Sequence, residues 1–589
     1  MIHRSLEATG EDGCVESTPA WIVGSKVSPA IGLGLLGMGD GGRPRVRSVD
    51  RAARSNGITW EGFQFFAREI ASMPYCGVRL HRMLVLTMGV LLVSAGSGWA
   101  DVAIASIFSD HMVLQRDMEI PVWGTADEGE EVTVQLADQT AVCVAAGGRW
   151  TVKLKPIAAG GPHTLTIKGK NTLTINDVLV GEVWICSGQS NMVWGIKDSF
   201  EPQAVISNSA DDGLRLITIP RVSKDEPQSA VDAKWTPCGP ASIETFSAVG
   251  YYFGKHLRET LKVPVGLVNT SFGGTPAEAW TSREKIESVP ELASTILNTY
   301  KQAIDGYPMA LAKYKEELDR WKEEAAKAKA DGKPDPPAPR GPVDPSTNPQ
   351  RPCGLYNAMV APLIPFAIRG AIWYQGESNA ERAQQYATLF PAMIQDWRAR
   401  WGQGDFPFFF VQLAPYMRIT KEPGDSAWAE LREAQRLTSL RVPNSAMAVI
   451  TDVGEELDIH PRKKREVGER LALAARKIAY GENIPYSGPT FKELKIEGNK
   501  AILHFENTAG GLVAKDGPLT GFTVAGTDGK FFNASAEIVG ETVVVQAAEV
   551  AAPIHVRFGW ANFPVVNLWN QAGLPATPFR TDELPWTTK

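Results

Sequence analysis

Three apolar runs in this 589-residue chain stop at short polar loops that carry glycine. Val183-Trp184-Ile185-Cys186 leads into Ser187-Gly188-Gln189-Ser190-Asn191. Val265 to Thr270 leads into Ser271-Phe272-Gly273-Gly274-Thr275-Pro276, and Ala371-Ile372-Trp373-Tyr374 into Gln375-Gly376-Glu377-Ser378-Asn379. Runs of this kind suit buried strands, and helical spacings recur between them, so Gly181 to about Glu482 is expected to form an α/β unit around a parallel sheet. Loops at the carboxyl ends of such strands gather along one edge, where ligands bind. The three glycine-bearing loops are therefore expected to meet.

Ser190 sits where the first strand should end and a helix begin. A serine hydroxyl is a poor nucleophile at neutral pH. At such a turn its oxygen is held clear of the fold, helical N–H groups and the helix dipole favour an oxyanion, and Gly188 allows close substrate approach. A nucleophilic serine needs a base, and the chain has eight histidines. His3 and His81 precede an export-like run, while His111, His163, His504 and His555 lie in β-rich terminal stretches. His256 has the spacing of a helix surface. His460 differs, lying between a strand pattern at 446–452 and a helix expected from Arg462. Pro461 then takes the first helical position, with Val467, Leu471, Ala474, Ala475 and Ile478 as the apolar face. Asp452, Glu455, Glu456 and Asp458 all lie near enough in sequence to orient the ring. A glycine N–H and an amide side chain from the other two loops could join the Ser190 N–H in an oxyanion hole.

Residues 101–180 alternate as strands do, for example at Val132–Leu136, Trp150–Leu154 and His163–Ile167, and are expected to form a small β-sandwich. Alternation returns beyond Pro485 with a hairpin turn at Glu497-Gly498-Asn499-Lys500, so residues 483–589 are expected to form a second β-domain. Within the α/β unit, residues 300–352 read as an insertion. Leu311, Tyr314, Leu318, Trp321 and Ala325 predict an amphipathic helix over Pro308–Asp331, and eight prolines from Pro334 to Pro352 forbid regular structure after it. Leu84 to Ala95 is apolar, follows Arg79, His81 and Arg82, and ends near Gly98 and Ala100. Residues 83–100 are thus expected to be a cleaved signal peptide, residues 1–82 upstream sequence read in frame, and the protein periplasmic or secreted, with no stable membrane insertion.

With 44% hydrophobic residues and 17 Trp, the chain can bury a large interior and still leave aromatics for a ligand cleft. A formal charge of −6 and the lack of a basic patch exclude nucleic acid as the expected partner. No metal-ligand spacing occurs, so neither metal nor cofactor is expected. Cys186 reads as a buried thiol, and Cys238 with Cys353 is the pair to test first for a disulfide.

Gly-Gln-Ser-Asn-Met, Ser-Phe-Gly-Gly-Thr-Pro-Ala-Glu-Ala-Trp, Trp-Tyr-Gln-Gly-Glu-Ser-Asn and Asp-Ile-His-Pro, in that order, resemble the sialate O-acetylesterase family of SGNH hydrolases. Gly354 to Leu363 resembles the same family, and the similarity extends over about residues 101–589. The resemblance implies a serine esterase that removes acetyl groups from sugar hydroxyls. It also implies a flavodoxin-like three-layer SGNH core flanked by N- and C-terminal β-sandwich domains. Ser190 becomes the nucleophile and His460 the base. The oxyanion hole becomes the Ser190 N–H, Gly274 or its neighbour Gly273, and an amide from Gln375 or Asn379. Many SGNH enzymes place the acid three residues before the histidine, where this chain has Leu457. Asp458 is the first choice for that role and Asp452 the second, and a Ser-His dyad is a third possibility. Ser378 stands where many relatives have an asparagine, which leaves Glu377 either in the acid network or as an anchor. The substrate expected is an acetylated sugar, with water as the second reactant. An acetylated plant polysaccharide such as xylan is the alternative, and a secreted sugar-binding protein the non-enzymatic one.

Overall fold

The computed structural model describes residues 101–588; the expected upstream extension and signal peptide lie outside the described residues. At its centre is a sheet built on β1 (Thr172–Gly188), β2 (Asp211–Thr218), β3 (Val265–Ser271), β4 (Gly370–Tyr374), β5 (Phe408–Val411) and β6 (Ser445–Ala448). Their spatial order is β2-β3-β1-β4-β5-β6 and every neighbouring pair is parallel, with a short antiparallel strand, Thr236–Cys238, on the edge beside β2.

Both faces of the sheet are covered. Along β1, Val183 and Ile185 pack into one core with Trp373, Phe390 and Trp397, and Trp184 and Cys186 into another with Phe253, Leu267 and Leu471. Successive strand residues point to opposite faces, so an apolar run with no polar alternation needs helices on both sides. α2 (Ala248–Leu261) and α6 (Lys464–Ile478) cover one face, and α4 (Ala383–Trp401) and α5 (Ala427–Arg441) the other. The one-turn helix α1 is Ser190–Val193, and α3 is the inserted helix Asn298–Ala330.

β1 is 17 residues long and serves two sheets. Its first half pairs with Gly160–Lys168, which pairs with Glu131–Leu136, and its second half runs between β3 and β4. The position 180/181 therefore falls inside continuous strand. Just past it, Glu182 is fully buried and accepts from Arg116 at 2.5 Å and Arg369 at 2.8 Å. A separate three-stranded sheet, Ala103–Ile104, Ile120–Thr125 and Arg149–Leu154, shares its buried residues with the N-terminal half of this assembly. Beyond Pro485, two four-stranded antiparallel sheets enclose their own core, including Leu503, Val543, Phe522 and Phe558. The expected hairpin is present, joining Thr490–Glu497 to Lys500–Glu506 through Gly498 at φ 61°.

Four local expectations need correction. α3 begins at Asn298 and runs through Pro308, because residues 293–297 already form a helical turn that leads into it. β6 stops at Ala448; Val449 and Ile450 remain buried but leave the ladder, so Asp452 stands beyond the strand. α6 starts at Lys464, which leaves Pro461 in the preceding loop. Cys238 and Cys353 are both free thiols, buried in the cores on opposite faces of the sheet, so no disulfide joins them.

Candidate active site

Ser190 is partly exposed just past the carboxyl end of β1. The turn is held by backbone bonds to both neighbouring strands: Gln189 N–H donates to the Tyr374 carbonyl at 2.9 Å, and Phe272 N–H to the Gly188 carbonyl at 3.0 Å. Gly188 adopts φ 136°, and a Cβ there would come within 2.1 Å of the Tyr374 carbonyl oxygen. Glycine is thus required here by the crossing of β4 rather than by an incoming substrate. Because α1 is a single turn, the N–H groups at its start matter more than any helix dipole.

The second loop lies against Ser190. A Cβ on Gly273 would stand 3.4 Å from Cβ of Ser190, whereas one on Gly274 would have only Gln350 within 4 Å. Gly273 is therefore the glycine adjoining Ser190, and the Gly274 carbonyl accepts from Gln350 Nε2 at 2.6 Å. In the third loop, Gln375 and Asn379 are fully buried and bonded to each other, Gln375 Nε2 donating to Asn379 Oδ1 at 2.6 Å. Asn379 Oδ1 also accepts from Ala277 N–H at 2.9 Å, and its Nδ2 donates to Glu278 Oε2 at 3.0 Å. These amides thus tie the second loop to the third.

His460 reaches the same edge. Trp194, four residues after Ser190, stacks on the His460 ring with centroids 4.7 Å apart and planes at 15°. Asn191 Nδ2 donates to the Ile459 carbonyl at 3.0 Å, so the residue after the serine is bonded to the residue before the histidine. Asp458 Oδ1 lies 3.5 Å from His460 Nδ1 and accepts from the His460 backbone N–H at 2.9 Å, an Asx-type turn that fixes the carboxylate beside the ring. Asp452 instead makes a paired contact with Arg470, at 2.6 and 2.8 Å. Of the two acids, only Asp458 is an ion-pair partner of the histidine. Burial first, then the nearby Lys464 charge, lower the pKa of His460, with Asp458 opposing them. The neutral form of the ring is thereby favoured.

Sequence reasoning missed the group beneath these loops. Lys464 is 1% exposed and donates to Asn191 Oδ1 at 2.5 Å, while Asn191 Nδ2 also donates to Glu377 Oε1 at 2.5 Å. Burial raises the pKa of Glu377 and lowers that of Lys464 to about 7, each partner's charge offsetting part of the shift. Arg462-Lys463-Lys464-Arg465 looks like a solvated basic run. Lys464, however, precedes Val467 by three residues and Leu471 by seven, which places it on the apolar stripe. Arg221 was also missed. Its Nε donates to the Ser271 carbonyl at 3.3 Å, at the end of β3.

His256 lies away from the motif loops. It lines a cavity of about 350 Å³ between α2, α6 and residues 201–208, with Tyr251, Tyr252 and Arg465. Among the described residues, no group of three or more His, Cys, Asp or Glu is placed to hold a metal ion, and no helix is long and apolar enough to cross a membrane.

Residues 349–477 match the family model for sialic acid-specific acetylesterases, a class of carbohydrate esterase. The sialate O-acetylesterase of Mus musculus is 33% identical over 451 residues, covering 70% of this chain and 79% of the mouse protein. The Homo sapiens sialate O-acetylesterase is 31% identical over 453 residues, covering 70% and 77%. A crystal structure of a carbohydrate acetylesterase from Xanthomonas citri superposes with a TM-score of 0.70 at 37% identity, covering 82% of this chain and all of that one. With its motif loops converging on one sheet edge, the chain belongs to the sialate O-acetylesterase family of carbohydrate esterases.

Proposed function

We propose that the protein is an SGNH-type serine esterase that removes O-acetyl groups from carbohydrates through an acetyl-enzyme on Ser190. The observation that carries this reading is the joint at Asn191, which couples the Ser190 turn to the His460 loop. In acylation, Ser190 Oγ attacks the acetyl carbonyl while His460 takes its proton. The N–H groups of Ser190 and Gly273 face the developing oxyanion; the sequence left the second role to Gly274 or Gly273, with Gly274 first, and the contact with Ser190 favours Gly273. Collapse of the tetrahedral intermediate breaks the ester bond, and His460 gives the proton to the departing sugar oxygen, which leaves as a hydroxyl. Water, deprotonated by His460, then attacks the acetyl-enzyme; the bond to Ser190 Oγ breaks, acetate leaves, and His460 returns the proton to Ser190 Oγ. Asp458 orients His460, and Gln375 and Asn379 brace the oxyanion loop rather than donate to substrate.

The order β3-β1-β4-β5-β6 supports a flavodoxin-like SGNH core, since it reads 2-1-3-4-5 when these five strands are counted in chain order. The paired sheets at each end support two flanking β-sandwiches. Export to the periplasm or medium belongs to the same proposal, motivated by the apolar run after Met83.

Purified protein tested on p-nitrophenyl acetate, then on acetylated sialic acid and acetylated xylo-oligosaccharide, checks the function. No turnover of the first by folded protein defeats the esterase reading in favour of a sugar-binding one. The oxyanion machinery contacts only the acetyl group, which predicts comparable rates on neutral and acidic sugars. Arg221 favours a second reading, an acidic sugar. Among the described residues its only hydrogen bond is the one to Ser271, and no carboxylate pairs with it, leaving two guanidinium nitrogens for a substrate carboxylate. A preference for acetylated sialic acid above about tenfold, or about 1.4 kcal/mol, that Arg221→Ala abolishes selects the second reading.

A further inference from the structure

We infer that Lys464 is a positioning residue of the catalytic pair, fixing Asn191 between the Ser190 turn and the His460 loop and setting its ammonium against the Trp194 ring that stacks on His460. This rests on the esterase reading above. An ammonium only donates, so its bond to Asn191 Oδ1 dictates which way that amide faces. The amide nitrogen must then point to Glu377 Oε1 and the Ile459 carbonyl, and both bonds are present, at 2.5 and 3.0 Å. Asn191 follows the nucleophile and Ile459 precedes the base, so the orientation of one amide holds the two backbones in register.

The charge acts on the same pair. Lys464 is faced by Glu377 from the third loop, by Asp458 and Glu455 from the histidine loop, and by the rings of Trp194 and Tyr374, 5.8 and 5.3 Å from Nζ. His460 is faced by Asp458, by Lys464 and by the stacked Trp194. Asp458 and Lys464 pull the ring in opposite directions. As pH falls below neutrality, where His460 would otherwise collect a proton, the lysine becomes increasingly charged and its repulsion grows. The result is a base that stays available in mildly acidic surroundings. A lysine that only balanced the buried Glu377 would affect folding and leave the pH profile alone.

The test is kcat/KM for p-nitrophenyl acetate from about pH 4.5 to about pH 9 in wild type, Lys464→Gln, Lys464→Met and Asn191→Ala. Lys464→Gln keeps a donor for Asn191 without the charge, so its acid limb should rise by about half a pH unit or more while kcat stays within about tenfold. Lys464→Met should shift the limb equally and lose about tenfold more in kcat, because Asn191 Oδ1 is left without its donor. Asn191→Ala should lose about 10- to 100-fold in kcat with the limb in place. An unmoved limb in folded Lys464→Gln overturns the inference, and absence of wild-type turnover defeats the esterase reading itself. If the Lys464 variants do not fold, NMR of wild-type protein decides: the His460 ring should titrate below its ordinary 6.5, and titration at or above that value overturns the inference.

Discussion

Asp458 and Asp452 stand on one loop with different partners, so replacing each by asparagine separates orientation of the base from support of the fold. The Asp458 carboxylate is 3.5 Å from His460 Nδ1 with its side chain 49% exposed. Attraction between a carboxylate and the imidazolium formed during attack, at that separation, is about 1.2 kcal/mol in water and about 4.7 kcal/mol at an effective dielectric constant near 20. Half exposure puts the pair toward the aqueous limit, so about 1.2–2.4 kcal/mol of transition-state stabilisation is expected. Asp458→Asn should then lower kcat/KM by about 8- to 60-fold, well short of the ~10⁴ typical of a fully buried triad aspartate. Asp452 is occupied by Arg470, whose side chain is 10% exposed. Asp452→Asn should cost about 1–3 kcal/mol of stability and leave kcat/KM within about threefold. Kinetics with p-nitrophenyl acetate, paired with thermal unfolding of each variant, measure both. A large activity loss in Asp452→Asn at unchanged Tm, with Asp458→Asn near wild type, would refute the assignment.

Ser190→Ala and His460→Ala should each lower kcat by on the order of 10³ or more, and the double variant should be little worse; more than about a tenth of wild-type activity in Ser190→Ala rejects the nucleophile. Since burial and Lys464 hold the His460 pKa below its ordinary 6.5, activity should persist as pH falls through 6.5 and be lost below it; an acid limb above about pH 7 contradicts this. Alkylation of unreduced, denatured protein should label Cys143, Cys186, Cys238 and Cys353, whereas a Cys238–Cys353 cross-linked peptide in the digest would contradict the free thiols. Exported protein should begin within a few residues of Asp101, and finding residues 1–82 on it would overturn the signal-peptide reading.

The sheet and its loops were legible because each apolar strand ends abruptly in glycine and amide residues, a contrast that survives without any tertiary information. The limits of β6 were not. Val449 and Ile450 continue the strand pattern and are buried, yet they take no part in ladder pairing. Pro308 likewise marks a helix start by local rules, and only the preceding helical turn carries α3 across it. At the site, the meeting of the Ser190 turn with the His460 loop was foreseeable from a serine at a strand end and a histidine in a loop of its own. The placement of Lys464 was not, since a lysine inside a basic run reads as solvated until packing shows which of the four is inside. Gly273 and Gly274 are adjacent and chemically identical, and only their placement against Ser190 separates them.

The continuity of β1 bears on how the molecule can move. A reactive residue at the tip of an unbroken strand is cantilevered from whatever grips the other end, and here that grip is a different sheet. No flexible tether separates the two, and the Glu182 carboxylate, clasped by an arginine from each side, stiffens the beam where a hinge would otherwise lie. The N-terminal strands cannot swing like an appended module. Any surface they offer to a substrate is presented at a constant angle to Ser190, and truncation after residue 180 would splinter a strand instead of trimming a linker.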